Sequence, residues 1–308
     1  MNNRTGEIYF LSSIKSFLRP LKHWIILNLV WPIKKSKVPK FNVMSSLDTL
    51  DYLIKNQCSL VRFGDGELDI IFGHEGPKFQ QFCPELANKL KEILSTPTKE
   101  LLICIPDVLN VDSIESCNLP TQYFWKRFLL INANLLREII DPSYLYGCSQ
   151  VSRPYLRLKD KTQSDLIFNK FKEIFSQRDI VIVEGEKTRF GVANDLVSQA
   201  KTVKRILGPT KNAFNFYNQI LEECLKQERN CLFLVALGPT AKLVVAELSC
   251  HGYQAIDVGH LDIEYEHFLR KKENISAIPG KWTNEVDTPY QECDLDLNKY
   301  FSEIIVKF

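Results

Sequence analysis

The stretch Asp179-Ile180-Val181-Ile182-Val183-Glu184-Gly185 decides the fold, because its unbroken apolar run predicts a strand buried on both faces. Further strands are expected at 203–207, 231–237 and 255–258. Helical patterns separate them near 191–200, 212–227 and 240–251, and a last helix is expected from Asp262 onward. Strands that alternate with helices in this way predict βαβ units and a parallel sheet.

The chain before residue 179 has a less regular version of the same pattern. Ser45 and Asp48 predict a capped helix start. Strands are expected at 59–63, 101–105 and 144–146, with helices at 84–95, 121–140 and 163–176. We therefore expect an α/β, Rossmann-like fold with a mostly parallel sheet and helices on both faces. Residues 41–308 are predicted to form one catalytic domain.

Composition sets the broad class of protein. The 308 residues are 45% hydrophobic and 25% charged, and the formal net charge of +2 gives no argument for a nucleic-acid partner, so we expect none. The nine cysteines include no Cys-x-x-Cys pair, and most lie in apolar runs. This pattern predicts a reducing, cytoplasmic compartment without a disulfide framework or a zinc ribbon.

Residues 1–40 form a basic leader with eight lysines and arginines against one acidic residue, Glu7. Its apolar segment, 24–31, is far shorter than the roughly 20 residues that span a bilayer. Tryptophan and aliphatic residues beside lysines are typical of a helix lying in the membrane interface, peripheral to the inner face of the plasma membrane. The alternative is a helix packed on the protein's own body with solvated lysines.

Polar residues at the predicted strand ends are candidates for chemistry, since parallel sheets bind ligands there. Arg62-Phe63-Gly64-Asp65-Gly66-Glu67 places two carboxylates beside glycines directly after a strand. Carboxylates at this spacing suit Mg²⁺ or Mn²⁺, the glycines allow a diphosphate to approach the backbone, and Arg62 suits a phosphate. The alternative interpretation is an ordinary Gly-Asp-Gly turn.

A second constellation follows the strand at 255–258. Asp257, His260, Asp262 and Glu264 lie within eight residues, and they offer general bases or a second metal pair. Asp262 is also a natural helix cap, so a purely structural role stays open.

Two further strand ends are candidate nucleotide contacts. Gly238, Thr240 and Lys242 begin a predicted helix, whose free N–H groups favour a phosphate. The other strand end follows 179–185 and offers Glu184, Arg189 and Asn194 as phosphate or ribose contacts. Helix initiation by Pro239 and solvated loop charge are the structural alternatives.

Together these segments resemble the GT-D-type glycosyltransferase family of bacterial surface-glycan and adhesin glycosylation. The resemblance covers about 45–290, and six motifs occur in the family's order. They are Val61-Arg62-Phe63-Gly64-Asp65-Gly66-Glu67, Ser152-Arg153-Pro154-Tyr155, Val183-Glu184-Gly185 with Thr188-Arg189-Phe190-Gly191 and Asn194-Asp195, Ala236-Leu237-Gly238-Pro239-Thr240-Ala241-Lys242, Asp257-Val258-Gly259-His260 with Asp262, Glu264 and Tyr265, and Pro279-Gly280-Lys281-Trp282 with Asn284-Glu285.

The resemblance implies a nucleoside-diphosphate sugar donor, often a UDP-hexose, and a divalent metal held through an Asp-x-Glu motif. Asp65 and Glu67 match that motif by position, although Asp262 and Glu264 have the same spacing. The second constellation then supplies the acceptor-side base, Glu264 or His260. The expected acceptor is a lipid-linked or protein-linked glycan. Two alternatives stay open: another Rossmann-like enzyme such as a methyltransferase, and a non-catalytic scaffold of a glycan-assembly complex.

Overall fold

The computed structural model describes residues 21–294 and 296–308. Residues 1–20, the first half of the predicted leader, lie outside the described residues, as does Leu295.

The body is one nine-stranded sheet in which every pair of neighbouring strands is parallel. The strand order is β1-β4-β3-β2-β8-β7-β5-β6-β9. The strands are β1 (Asn42–Val43), β2 (Ser59–Arg62), β3 (Leu101–Ile105), β4 (Leu145–Cys148), β5 (Asp179–Gly185), β6 (Thr202–Gly208), β7 (Leu232–Ala236), β8 (Gln254–Asp257) and β9 (Ile304–Lys307). This arrangement confirms the predicted Rossmann-like α/β fold with a parallel sheet.

Helices connect the strands. They are α1 (Ser46–Asn56), α2 (Asp65–Ile71), α3 (Pro84–Ser95), α4 (Leu119–Ile139), α5 (Ser164–Phe175), α6 (Tyr217–Leu225), α7 (Thr240–Cys250), α8 (Leu261–Leu269) and α9 (Asn298–Glu303). The Ser45 side chain accepts a hydrogen bond from the Asp48 N–H and so caps α1 as expected. Short α2, α9, β1 and β9 were not predicted.

Alternate residues of the central strands belong to two separate hydrophobic cores. In β7, Phe233 and Val235 belong to one core, whereas Leu232 and Leu234 belong to the other. Burying a side chain of this size contributes about 1.5–3 kcal/mol. Both faces of the central strands are covered, and such strands are typically continuous apolar runs in the sequence.

Strand order reverses at the boundary between β2 and β8. From β2 the chain builds β3 and β4 on one side, then crosses to build β5, β6 and β7 on the other before β8 pairs beside β2. A reversal of this kind leaves a crevice at the carboxyl ends of the two strands, where open parallel sheets bind ligands.

The helix predicted near 191–200 is wrong, because this segment is a series of turns. Arg189, Gly191 and Ala193 all have positive φ, which a right-handed helix excludes. The Gly191 N–H and the Asn194 amide instead donate to the Asp262 carboxylate. These contacts replace helical hydrogen bonds and tie the turns to α8.

The described part of the leader is helical from residue 21 and passes through Ile26–Val30 and Trp31–Lys34 to Lys35–Lys37. One of its faces packs on α4, where the His23 and Tyr123 rings stack 3.6 Å apart. Trp31 is buried beneath the Lys126 ammonium, 5.7 Å from the ring centroid. Across residues 21–294 and 296–308 no helix has the length and apolarity needed to cross a bilayer.

Candidate active site

A cleft of about 870 Å³ opens at the β2–β8 boundary. Its walls come from the carboxyl ends of β2 and β4 to β8, the start of α4, the loop residues 77–80 and the segment at 273–287. Its ionisable lining residues include Arg62, Asp65, Glu67, Lys78, Arg153, Arg157, Lys242, Asp257, His260, Glu264 and Glu285. The cleft brings together the ends of β2 and β8, which are far apart in the chain.

Arg62 and Asp257 form the centre of the cleft floor. The Arg62 Nη2 donates to Asp257 Oδ1 at 2.9 Å, and its Nε donates to the Asp257 carbonyl at 2.7 Å. Its Nη1 donates to the Ser152 hydroxyl at 2.6 Å. A Cβ on Gly259 would lie 1.7 Å from the Arg62 guanidinium, so any side chain there would displace Arg62 from these hydrogen bonds. Arg62 is therefore a positioning group, with its donors used by the protein.

Lys242 joins the two strand ends. Its ammonium lies 2.8 Å from Glu67 Oε1 and 3.1 Å from Asp257 Oδ2, and it donates to the Gly238 carbonyl at 3.2 Å. Burial opposes the ionisation of Asp257, yet Arg62 and Lys242 outweigh it and lower the pKa of this carboxyl. Lys242 is thus committed to carboxylates, which differs from the expected phosphate contact.

Asp65 and Glu67 lie in the first turn of α2. The Gly-Asp-Gly segment is therefore the start of a helix and not an ordinary turn. Glu67 Oε2 accepts a hydrogen bond from the Gly64 N–H at 2.9 Å, and its Oε1 faces Lys242. Asp65 forms no ion pair within the part of the chain that is described. Burial, and then the neighbouring Glu67, raise the pKa of Asp65, and Arg153 offsets only part of this.

Asp65 and Glu67 suit a divalent cation only when substrate phosphate and water complete its coordination shell. The described residues contain no group of three or more histidine, cysteine or acidic side chains that could hold a metal. Mg²⁺ and Mn²⁺ sites commonly use one or two carboxylates and complete their shell with substrate phosphate and water. Asp65 lines the cleft and a nearby positive charge would relieve its buried charge. The donor set therefore suits a cation that arrives with a diphosphate.

The opposite wall carries Glu264, His260 and Glu285. Glu264 Oε2 accepts hydrogen bonds from the Tyr155 and Leu156 N–H groups at 3.2 and 3.1 Å. His260 Nε2 lies 3.1 Å from Glu285 Oε1, without the alignment of a hydrogen bond. Arg153 donates to the same Glu285 oxygen. Burial opposes ionisation of Glu285, but His260 and Arg153 outweigh it and lower its pKa.

Gly66, expected to admit a diphosphate, and Gly238, expected at a phosphate-binding helix start, are both covered by the 73–83 loop. A Cβ on Gly66 would lie 3.3 Å from Pro77, and a Cβ on Gly238, which has φ +56, would lie 2.4 Å from Phe79. Side chains of the protein, and not a diphosphate, occupy the space next to these two glycines. The loop also holds Lys78 at the cleft, and no ion pair to it is found among residues 21–294 and 296–308.

Five predicted site residues lie outside the cleft lining. They are Glu184, Arg189, Asn194, Thr240 and Asp262. Asp262 Oδ2 accepts from the buried Lys281 ammonium at 2.6 Å. Glu184 pairs with Arg205 Nη1 at 2.6 Å.

Arg189 donates to the Gly280 carbonyl at 2.9 Å, and Thr240 is fully buried. Asn194 is bound to α8 through Asp262, as described for the turns. These contacts give the five residues structural roles behind the cleft wall, which corrects the expectation that they contact ligand.

Several cleft residues were not assigned a site role by the sequence. Glu285 lies in one of the family motifs but was given no role, whereas Arg153 was expected only to line a cleft. Their importance becomes apparent from the contacts of Arg153 and His260 with Glu285. Lys78 belongs to no motif, and no local signal marks it. Arg157 is a further example, since its pairing with Asp107 at 2.9 Å depends on residues 50 positions away.

Comparison with known proteins places this geometry in a family. The description "Glycosyltransferase GT-D fold" matches residues 60–286. The "Probable glycosyl transferase Gly" of Streptococcus gordonii is 40% identical over 86% of this chain and 39% of its own length. "Glycosyltransferase GlyD" of Streptococcus pneumoniae serotype 4 is 37% identical over 84% of this chain and 32% of its own length. The chain thus spans less than half of the curated relatives it matches.

Solved structures match over nearly their full length. One, described as "The highly conserved domain of unknown function 1792 has a distinct glycosyltransferase fold", has a TM-score of 0.81 at 38% identity and covers 87% of this chain and 96% of its own. Another, "A New Glycosyltransferase (DUF1792) from Streptococcus sanguinis", has a TM-score of 0.82 at 36% identity and covers 87% of this chain and 100% of its own.

Proposed function

Because this chain belongs to the GT-D glycosyltransferase family, we propose that it transfers a hexose from a nucleoside-diphosphate sugar, a UDP-sugar in particular, to a glycan acceptor. The acceptor belongs to bacterial surface polysaccharide or glycoprotein synthesis, and the protein works peripherally at the inner face of the plasma membrane. The observation that carries the reaction is the convergence of Asp65, Lys78 and His260 on one cleft at the reversal of strand order.

Donor binding uses the β2 side of the cleft. Asp65, with Glu67 beside it, would hold Mn²⁺ or Mg²⁺ together with the donor diphosphate. When bound, such a cation supplies electrostatic stabilisation of the departing nucleoside diphosphate. Lys78 contacts the diphosphate as a point charge, since it is exposed at the cleft.

Acceptor activation uses the β8 side. The acceptor hydroxyl passes its proton to His260 or Glu264 as it attacks the anomeric carbon of the donor. Both side chains line the cleft, whereas Asp257 has its carboxylate oxygens occupied by Arg62 and Lys242. Glu285 and Arg153 are positioning residues that hold the His260 wall. Asp262 has no part in this scheme because Lys281 and the turns occupy its carboxylate.

The test is donor hydrolysis. The protein is incubated with UDP-, GDP-, CDP- and dTDP-sugars, each with Mn²⁺ or with EDTA, and released nucleotide is measured. We expect release from one donor that requires metal and is lost in Asp65→Ala. Asp262→Asn is the matched control, because Asp262 is a carboxylate that lies outside the cleft lining. The folded fraction of this variant should still release nucleotide.

Two outcomes would contradict the proposal. No release from any donor, together with no thermal stabilisation by any nucleotide, would support a non-catalytic scaffold. Thermal stabilisation by S-adenosylmethionine, but not by UDP with Mn²⁺, would support a methyltransferase.

A further inference from the structure

We propose that the outer face of the leader helix, residues 21–37, docks on an anionic lipid surface. The contact specifies how the peripheral membrane association included in the proposed function is made, and it rests on that part of the proposal alone. It does not depend on sugar transfer, so binding and catalysis are tested separately.

The outer face carries an apolar stripe. Leu21, Ile25, Leu29 and Ile33 recur at every fourth residue, and their exposed fractions are 53%, 37%, 49% and 76%. Trp24, exposed by 53%, lies beside them. Residues four apart share one side of a helix, so these side chains form one continuous strip. A strip of large exposed apolar side chains marks an interaction surface.

The inner face of the same helix is anchored to the body. His23 stacks on Tyr123, Trp31 is buried, and Arg137 donates to the Lys37 carbonyl. The two alternatives for the leader are therefore compatible: one face packs on the protein while the other stays open. The anchoring also fixes the direction in which the stripe points.

Charge identifies lipid as the occupant. Residues 21–40 contain no acidic residue, and all five lysines are exposed. They are Lys22, Lys34, Lys35, Lys37 and Lys40. Protein–protein interfaces are depleted in lysine, whereas aromatic and aliphatic residues flanked by lysines suit the boundary between acyl chains and anionic headgroups. Over the described residues 21–37 the helix lacks the length and apolarity needed to cross a bilayer, and the proposal places it along the surface.

The leader helix packs on α4 near the cleft. Tyr123 contacts the leader, and the following residue, Phe124, lines the cleft and is 41% exposed. The inner face of the leader helix therefore contacts α4 beside the rim of the cleft.

The experiment is co-sedimentation of the full chain with vesicles. Vesicles of phosphatidylglycerol mixed with phosphatidylcholine are compared with vesicles of phosphatidylcholine alone. We expect sedimentation with the mixed vesicles, reduced by about tenfold or more in the double variant Leu29→Glu/Ile33→Glu. Leu166→Glu, at a leucine that is 48% exposed on α5, is the matched control and should sediment like the parent.

A second pair of variants tests the charges. Lys34→Gln/Lys35→Gln should weaken binding to the mixed vesicles and reduce its sensitivity to salt, whereas Lys91→Gln on α3 should change neither. Unchanged sedimentation of Leu29→Glu/Ile33→Glu would overturn the proposal. So would a dimer in solution that this variant converts to monomer, since the stripe would then bind a second copy.

Donor hydrolysis by the same variants separates the two proposals. Loss of vesicle binding with retained nucleotide release supports lipid docking as an independent property. Failure of vesicle binding by the parent, with normal nucleotide release, contradicts docking and leaves the transferase proposal intact.

Discussion

Lys242 and Glu67 form a buried ion pair, with Nζ 2.8 Å from Oε1. The pair links the first turn of α2 to the first turn of α7 and so joins the two walls of the cleft. Glu67 is therefore held by the protein, whereas its neighbour Asp65 has no such partner among the residues described. The two acids of the Asp-x-Glu motif differ in role despite their spacing.

Substitution of the two acids should show that only Glu67 contributes to the stability of the fold. Glu67→Gln should lower the free energy of unfolding by about 1–3 kcal/mol, because it leaves Lys242 with one carboxylate partner fewer. Asp65→Asn should leave it unchanged within about 0.5 kcal/mol or raise it, because burial disfavours the Asp65 charge. Urea unfolding measures both. Equal destabilisation by the two variants would contradict this assignment.

Asp257 should make the protein sensitive to acid. Its folded pKa is lowered, so its contribution to stability is present above the unfolded value, about 3.9, and is lost as pH falls through the folded value. Asp257→Asn should cost about 3–5 kcal/mol at neutral pH, since it leaves buried Arg62 and Lys242 without their carboxylate. It should also flatten the dependence of stability on pH below about 4. A parallel pH profile for parent and variant would exclude this role.

Glu285 should act on turnover rather than on donor binding. Glu285→Gln should lower kcat by about a hundredfold, because His260 and Arg153 lose the carboxylate that holds them. The Kd of the nucleotide should stay unchanged, and Glu285→Asp should restore part of kcat. Isothermal titration and steady-state kinetics give both values. A change in Kd equal to the change in kcat would point to a structural defect instead.

Gly259 should tolerate no side chain. Gly259→Ala places a Cβ 1.7 Å from Arg62 Nη2 at φ +45, and we expect a loss of more than about 2 kcal/mol together with loss of donor hydrolysis. Gly73→Ala is the matched control, because φ there is +79 but nothing lies within 4 Å of the added Cβ. It should cost only about 1 kcal/mol of backbone strain and retain activity. Similar losses in both variants would show that φ, not the contact with Arg62, is responsible.

Lys78 should bind the donor without supporting the fold. Lys78→Ala should raise the donor KM by about tenfold, as expected for a lost charge-assisted contact to phosphate. The thermal midpoint should not change, since the side chain is exposed. Lys91→Ala is the control for a general loss of positive charge. An unchanged donor KM would remove Lys78 from the diphosphate site.

The sequence predicts the sheet well because parallel strands buried on both faces appear as short apolar runs. The runs at 180–183 and 231–237 are apolar on both faces, and each is followed directly by an acid or a glycine. The failed helix near 191–200 has a different origin. Its turns are stabilised by Asp262, about 70 residues further along, and no local pattern reports that contact.

The same limit applies to the site. The strand-end rule selects Asp65, Glu67, His260 and Glu264, all of which line the cleft, and their roles there stay predictions. It cannot distinguish a carboxylate that faces a ligand from one already bound to a lysine, and so it also selects Asp262. Glu285 lies in an irregular segment, and its importance depends on a distance to His260 that only the folded chain defines.

Arg62 and Asp257 stand 195 residues apart in the chain and still share several hydrogen bonds. Closing so long a loop costs conformational entropy before any contact repays it, so contacts of this kind form late. β8 must take its place beside β2 before the cleft exists. On dilution from denaturant, helical circular dichroism should therefore recover first, and nucleotide binding should appear only in the slowest phase of refolding.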